Sequence, residues 1–336
     1  MTRRNLFLTG LLILQLVLVA AVFWPRSSTA GKEGASLFAG VEAGRIARLT
    51  IRDGQGKSIV LAKGAQGWVL PEADDYPCQA DKVESLTTKI AGLKANRLVA
   101  QTGSSHKRLK VADEEYERLI EFVLDDGVLH RLYVGSAPAY RATHIRADGQ
   151  KEVYLTSDLS AQDASLEVTN WVNRNYLVVP QDQIVAITLE NANGRFEFEK
   201  QGEVWTMSDL ALSETLNEGA VRTLVNRVAT VILLQPLGKE KKAEYGMDRP
   251  NAVVTLRTHS EEAGDKSYTL WVGARDAADN NYIVKSSESE YYVKVSQYSV
   301  NDLVEKKREG FLQLPPTPTP TPESTPETTP GATPEG

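Results

Sequence analysis

Arg45-Ile46-Ala47-Arg48-Leu49-Thr50-Ile51 leads through Asp53-Gly54 into Ser58-Ile59-Val60-Leu61 and then Gly67-Trp68-Val69-Leu70. Short runs of β-branched and aromatic residues, punctuated by Gly and Asp, read as a meander of strands. The same reading returns at Ile184–Leu189, Asn193-Gly194, Phe196–Glu199 and Val204–Met207. The recurrence is general. Ile46 and Ile184, Val83 and Val221, Leu86 and Leu224, Ile90 and Val228, Leu132 and Leu270, Gly135 and Gly273, Ile145 and Ile283, and Tyr154 and Tyr292 all stand 138 residues apart. Trp68 and Trp205 stand 137 apart, which places a one-residue slip in the hairpin before them. A period this long exceeds any solenoid unit, so a whole domain is duplicated and each copy owns a core.

Within each copy one helix is expected. Val83, Leu86, Ile90 and Leu93 fall three to four apart, as do Val221, Leu224, Val228 and Val231, with Asp81 or Asn217 placed as caps. Strands follow: Tyr116 to Leu124 with Val253–Leu256 in the matching place, then Leu129–Val134 or Tyr268–Val272, Thr143–Arg146 or Tyr282–Lys285, and Glu152–Leu155 or Tyr291–Val295. Asp113–Arg118 alone would pass as a helix start, but the repeat and the period of two overrule it. The expected fold is α+β: two tandem modules, residues 44–180 and 181–314, each a mainly antiparallel sheet with one principal amphipathic helix.

The ends differ from this middle. From Leu6 to Trp24 there are 19 residues without a charge, or about 28 Å of helix. That exceeds the ~7–15 residues of a signal-peptide core, so residues 1–30 read as an uncleaved membrane anchor and spacer, although Ser28-Thr29-Ala30 would serve as a cleavage site. Arg3 and Arg4 argue for a cytoplasmic N-terminus, which leaves the remainder outside the cytoplasm. Residues 315–336 repeat Pro and Thr and cannot build a core; they read as a solvated tail, a spacer through wall polymer or a glycosylated stalk. The net charge is −6, half of it on Glu323, Glu327 and Glu335, so no nucleic-acid surface is expected. The lone Cys78 excludes an internal disulfide and any multi-cysteine metal site.

The segment Glu244-Tyr245-Gly246-Met247-Asp248-Arg249-Pro250 suggests a helix from about Lys239 that ends at Gly246, with Pro250 preventing continuation. Both copies finish with a basic residue, an apolar run and proline: Arg174-Asn175-Tyr176-Leu177-Val178-Val179-Pro180, and Arg308-Glu309-Gly310-Phe311-Leu312-Gln313-Leu314-Pro315. These motifs, with Gly-Trp-Val-Leu, the Val-Gly after a strand and the N-terminal apolar run, resemble a bacterial family known as domain of unknown function four-three-four-zero over about Arg45 to Leu314. The resemblance implies an envelope accessory role, since such proteins are commonly encoded beside ABC-2-type permeases and gliding-type ABC auxiliary proteins. It implies no established catalytic residues. His106-Lys107-Arg108-Leu109 stands where the second copy has Tyr245-Gly246-Met247, so any function of that segment is expected in the second copy alone.

Motifs for catalysis are missing: no phosphate loop, no Gly-x-Ser-x-Gly, no His-Glu-x-x-His and no calcium-loop spacing. A metal pair of His130 and His144 is conceivable across neighbouring strands, but His106, His130, His144 and His259 each lie singly. Asp125-Asp126 and Glu114-Glu115 read as surface charge, and Cys78 as packing. Trp68 and Trp205 read as core, while Gly135, Gly273, Gly246 and Pro250 read as structural. Trp171, Arg174 and Tyr176 at the junction are the candidate binding seam. The expected function is therefore non-catalytic and without cofactors: an extracytoplasmic accessory or scaffold, held in a bacterial cytoplasmic membrane by Leu6 to Trp24, with an ABC permease or auxiliary subunit as partner. A wall-polysaccharide module and an envelope hydrolase are the alternatives.

Overall fold

The computed structural model describes residues 34–313 apart from Ala263. The expected anchor at Leu6 to Trp24, the cleavage site at Ser28-Thr29-Ala30 and the tail from Pro315 lie outside the described residues. Among the described residues no helix is long and apolar enough to cross a membrane. The chain divides into unit 1, which ends at Arg174 and also takes in Leu234–Lys239, and unit 2, which holds Asn175–Leu233 and resumes at Glu240.

Unit 1 has nine strands: β1 (Ile46–Arg52), β2 (Ser58–Gly64), β3 (Gly67–Leu70), β4 (Tyr76–Pro77), β5 (Leu98–Ala100), β6 (Arg118–Leu124), β7 (Leu129–Val134), β8 (Thr143–Ala147) and β9 (Val153–Thr156). They form an antiparallel sheet in the order β4-β3-β2-β1-β6-β7-β8-β9-β5. Alternation in β1 buries Leu49 and Ile51 on one face, and Ile46, beyond a register irregularity between Ile46 and Arg48, is buried too. Helix α1 (Ala80–Gly92) turns its stripe of Val83, Leu86, Thr87 and Ile90 inward, as the three-to-four spacing requires. Each such Leu or Ile contributes about 1.5–3 kcal/mol through burial.

Unit 2 repeats the plan with β10 (Asn175–Val178), β11 (Ile184–Asn191), β12 (Gly194–Gln201), β13 (Val204–Met207), helix α2 (Glu218–Ala229), the first four residues of β14 (Thr230–Gly238), β15 (Ala252–Ser260), β16 (Gly264–Arg275), β17 (Tyr282–Ser286), β18 (Tyr292–Val295) and helix α3 (Gln297–Glu305); from Leu234 on, β14 is counted in unit 1. The sheet carries β18-β17-β16-β15-β11-β12-β13 in that order, and β10 pairs with the start of β14. The duplication extends to register. Leu49 opposite Leu61 and Ile51 opposite Ile120 in unit 1 correspond to Ile187 opposite Phe198 and Leu189 opposite Val254 in unit 2. The slip that separates Trp68 from Trp205 sits in the first hairpin. Asp53 Oδ1 accepts from Gln55 N and Lys57 N across a wide loop in one copy, whereas Asn191 and Gly194 close a tight one in the other.

Four local expectations are corrected. Asp81 lies inside α1 and caps nothing; Gln79 precedes the helix without a side-chain cap, while Asn217 Oδ1 does accept from Ala220 N at 3.2 Å. No helix runs from Lys239; only one 3₁₀ turn, Ala243–Tyr245, precedes Gly246, because Lys239–Lys242 offer no apolar stripe to bury. Gly246 does take the left-handed conformation there, at φ 67°. Unit 2 has a second helix, α3, which buries Val300 and Leu303; the matching stretch of unit 1 has none.

The fourth correction concerns the Val-Gly motif. In unit 1 a Cβ on Gly135 would stand 2.6 Å from Val111 Cγ1 and 2.9 Å from Lys110 O, and nearer still to Leu109 O. In unit 2 a Cβ on Gly273 would press against Tyr245 O and stand 2.9 Å from Met247 Cε. Leu109-Lys110-Val111 is thus the counterpart of Tyr245-Gly246-Met247, and Lys110 holds φ 59° where the other copy has Gly246. The turn is present in both copies, so nothing in its backbone restricts it to the second.

Candidate functional site

A return segment closes each unit over its helix. In unit 1 Gln79 N donates to Trp171 O at 2.6 Å, and Lys89 Nζ meets Asp163 Oδ1 at 2.5 Å. In unit 2 Asn217 N donates to Phe311 O at 2.8 Å, and Arg227 meets Asp302 at 3.0 Å. Trp171 and Phe311 are therefore equivalent anchors. Trp171 is only 3% exposed, and its indole N–H donates to Ser165 O at 3.0 Å.

Both aromatic residues of the expected seam are buried. Trp171 offers no open ring face for stacking. Tyr176 is buried in unit 2, where its hydroxyl donates to Tyr291 O at 2.6 Å and accepts from Ser286 N at 2.9 Å. Burial pushes that phenol up to about 12. Arg174 is exposed. The two rings brace separate cores, Trp171 in unit 1 and Tyr176 in unit 2, and Trp68 and Trp205 are likewise buried.

The remaining chemical candidates are absorbed by the fold. His130 stacks on Phe122 at 5.1 Å in the β6–β7 pair, while His144 lies opposite Leu155 in the β8–β9 pair, so the conceivable histidine pair is not assembled. Among the described residues no group of three His, Cys, Asp or Glu side chains is placed to hold a metal. Ser136 Oγ stands 3.1 Å from His144 Nδ1, the spacing of a nucleophile and its base. Yet the same Nδ1 is 2.8 Å from Ser136 O, a carbonyl that can only accept, so Nδ1 carries the proton and cannot take one from the hydroxyl. The Ser136 hydroxyl donates instead to Leu109 O. Burial also holds the His144 imidazole below its ordinary pKa.

Three of the four residues in the acidic doublets are paired as well. Arg45 binds Asp125 Oδ1 at 3.0 Å and Asp126 Oδ2 at 2.5 Å; the Val128 N–H and then Arg45 keep the Asp126 carboxyl below the usual range. A carboxyl so held stays ionised and cannot act as a general acid near neutral pH. Glu115 is engaged by Lys110 at 2.7 Å. Cys78, half-buried, has its thiol pushed up to about 12 by burial, which leaves little of the nucleophilic thiolate. Arg146, buried in β8, donates to Val111 O at 2.7 Å and to Gln150 O, pairs with Asp113 and lies 4.2 Å over the Tyr133 ring. It clamps the Val111–Asp113 turn to the sheet.

One of the open grooves of unit 1, of about 460 Å³, lies between α1 and the return segment. Leu86 and the edge of Trp171 form its floor, with Lys82 and Ser85 on the helix side and Gln162 and Thr169 opposite. Sequence reading found Trp171 but missed these polar residues. Their one signal is the spacing of Lys82, Ser85 and Lys89, which puts them on one side of a helix, and any solvated helix face gives the same pattern.

No curated protein and no solved structure matches the chain. The family model described as a domain of unknown function, DUF4340, matches residues 68–242, from Trp68 in β3 of the first copy into the second copy. That span is just over half of the sequence, and the chain belongs to this DUF4340 family.

Proposed function

We propose that this protein binds rather than catalyses, as an accessory or scaffold subunit of an ABC-type export or envelope system. In this reading Leu6 to Trp24 anchors it in a bacterial cytoplasmic membrane and the two sheet units stand outside the cytoplasm. The observation that carries it is how the reactive groups are used: Arg45 holds Asp125 and Asp126, the Nδ1 proton of His144 is committed to Ser136 O, and the Cys78 thiol is raised by burial. Each is spent on holding a duplicated scaffold together. The ABC partner rests on the resemblance, which associates such chains with ABC-2-type permeases. Crosslinking in intact membranes, followed by purification through the C-terminal tail, tests the partner. Recovery of a permease or ATPase subunit is expected; recovery of the protein alone refutes the reading.

A further inference from the structure

The groove along α1 has a counterpart that the duplication makes informative. In unit 2 the return segment is helical at this point, and helix α3 brings Tyr298 O to Arg227 at 2.9 Å. In unit 1 the return segment between Ser157 and Glu167 forms no helix, while the Lys89–Asp163 contact is kept. The first copy has thus retained the clasp and opened the space beside it.

The lining is specific in kind. The side chains of Gln79, Ser85, Gln162 and Thr169 have no hydrogen-bond partner within the chain among the described residues. Each is an amide or hydroxyl that both donates and accepts, the complement of vicinal hydroxyl groups. The cations are unequal. Lys89 is neutralised by Asp163, whose other oxygen takes Ser160 N and Ser160 Oγ, whereas Lys82 has no carboxylate partner among the described residues. The apolar floor of Leu86 and the Trp171 edge is too small to take an acyl chain or a stacked ring. In α2 the place of Lys82 is held by Ala220 and that of Ser85 by Thr223, so unit 2 offers no equivalent cation.

We propose that this groove binds an acidic saccharide, with Lys82 meeting the carboxylate and Gln79, Ser85, Gln162 and Thr169 meeting the hydroxyls. The site is independent of any transporter partner, and of stacking on Trp171. The test uses the full chain in detergent, trigalacturonate as probe, and mass spectrometry of reductive methylation at Lys82, with the exposed Lys94 as internal reference. Binding is expected to protect Lys82 and leave Lys94 reactive. Lys82→Gln should weaken trigalacturonate about tenfold, as loss of one charged hydrogen bond does, and leave a weaker neutral trisaccharide unaffected. Gln162→Ala, at an exposed position, should weaken both by roughly fivefold. The proposal is overturned by no protection at about 10 mM trigalacturonate, a concentration far above any useful Kd. It is also overturned by unchanged affinity in both variants, or by equal protection from inorganic phosphate or triaspartate, which would assign the groove to a simple anion or an acidic peptide.

Discussion

Gly135→Ala and Gly273→Ala are the substitutions that the duplicated turn makes most informative. A Cβ at Gly135 would stand 2.6 Å from Val111 Cγ1 and 2.9 Å from Lys110 O, where ordinary contact needs about 3.5 Å, so the Leu109–Val111 turn must retreat by about 1 Å. Retreat breaks Ser136 N to Leu109 O and lifts Leu109 and Val111 from their cluster with Leu119, Tyr133 and Val153. Overpacking at about 2 kcal/mol and a lost hydrogen bond at about 1 give a destabilisation of about 3 kcal/mol. With a urea dependence of about 2 kcal/mol per molar, the midpoint should fall by about 1.5 M. Hydrogen exchange read by mass spectrometry along a urea series separates the units: peptides of β7 report Gly135→Ala, and those of β16 report Gly273→Ala. Gly92→Ala, with open space around it at the end of α1, is the control and should cost nothing. A midpoint within about 0.3 M of the parent for both turn variants would refute the close-approach reasoning.

Three further outcomes are expected. Because burial lowers the His144 pKa below 6.5, the unfolded chain takes up this proton first on acidification; the stabilisation is full above about pH 6.5 and lost as pH falls from there towards the folded value. Urea midpoints of unit 1 between pH 8 and 5 should show that loss, and His144→Gln should flatten it. Arg146→Ala should destabilise unit 1 by about 3 kcal/mol, since it strands the Val111 carbonyl and removes a buried clamp, and Arg146→Lys should not restore it, because one ammonium cannot serve Val111, Gln150 and Asp113 together. Cys78 should resist thiol reagents at pH 8 in the folded chain and react on unfolding; prompt reaction of the native protein would contradict a thiol pushed up to about 12.

The antiparallel α+β plan was readable because Val83, Leu86 and Ile90 and their counterparts carry a helical period and Leu49 and Ile51 a strand period, each repeated. Duplication doubled every weak local signal. What escaped reading depends on backbone geometry. Lys110 adopts a left-handed conformation at φ 59°, and its residue type gives no sign of this, so the equivalence of Leu109-Lys110-Val111 with Tyr245-Gly246-Met247 appeared only in space. Helix α3 escaped because Val300 and Leu303 make too short a stripe to stand out. Trp171 and Tyr176 were legible as aromatic residues at a junction, but whether such a ring faces outward or inward is decided by partners such as Ser165 and Tyr291 that are distant in local pattern. The groove beside Lys82 was hidden for the same reason: it exists only because a return segment some 80 residues downstream failed to become a helix.

The clasp between helix and return segment also governs the order in which a growing chain can acquire its structure. Helix α1 is complete at Gly92, yet Gln79 waits for Trp171, and Lys89 for Asp163. Unit 1 further counts Leu234–Lys239 among its residues, and Asp74 Oδ2 accepts from Lys239 N at 2.7 Å. A chain delivered from its N-terminus therefore exposes the first unit unfinished until much of the second copy has followed, at ~5–20 residues per second for synthesis. Truncations ending before residue 234 therefore leave the first unit incomplete although its own repeat is entire.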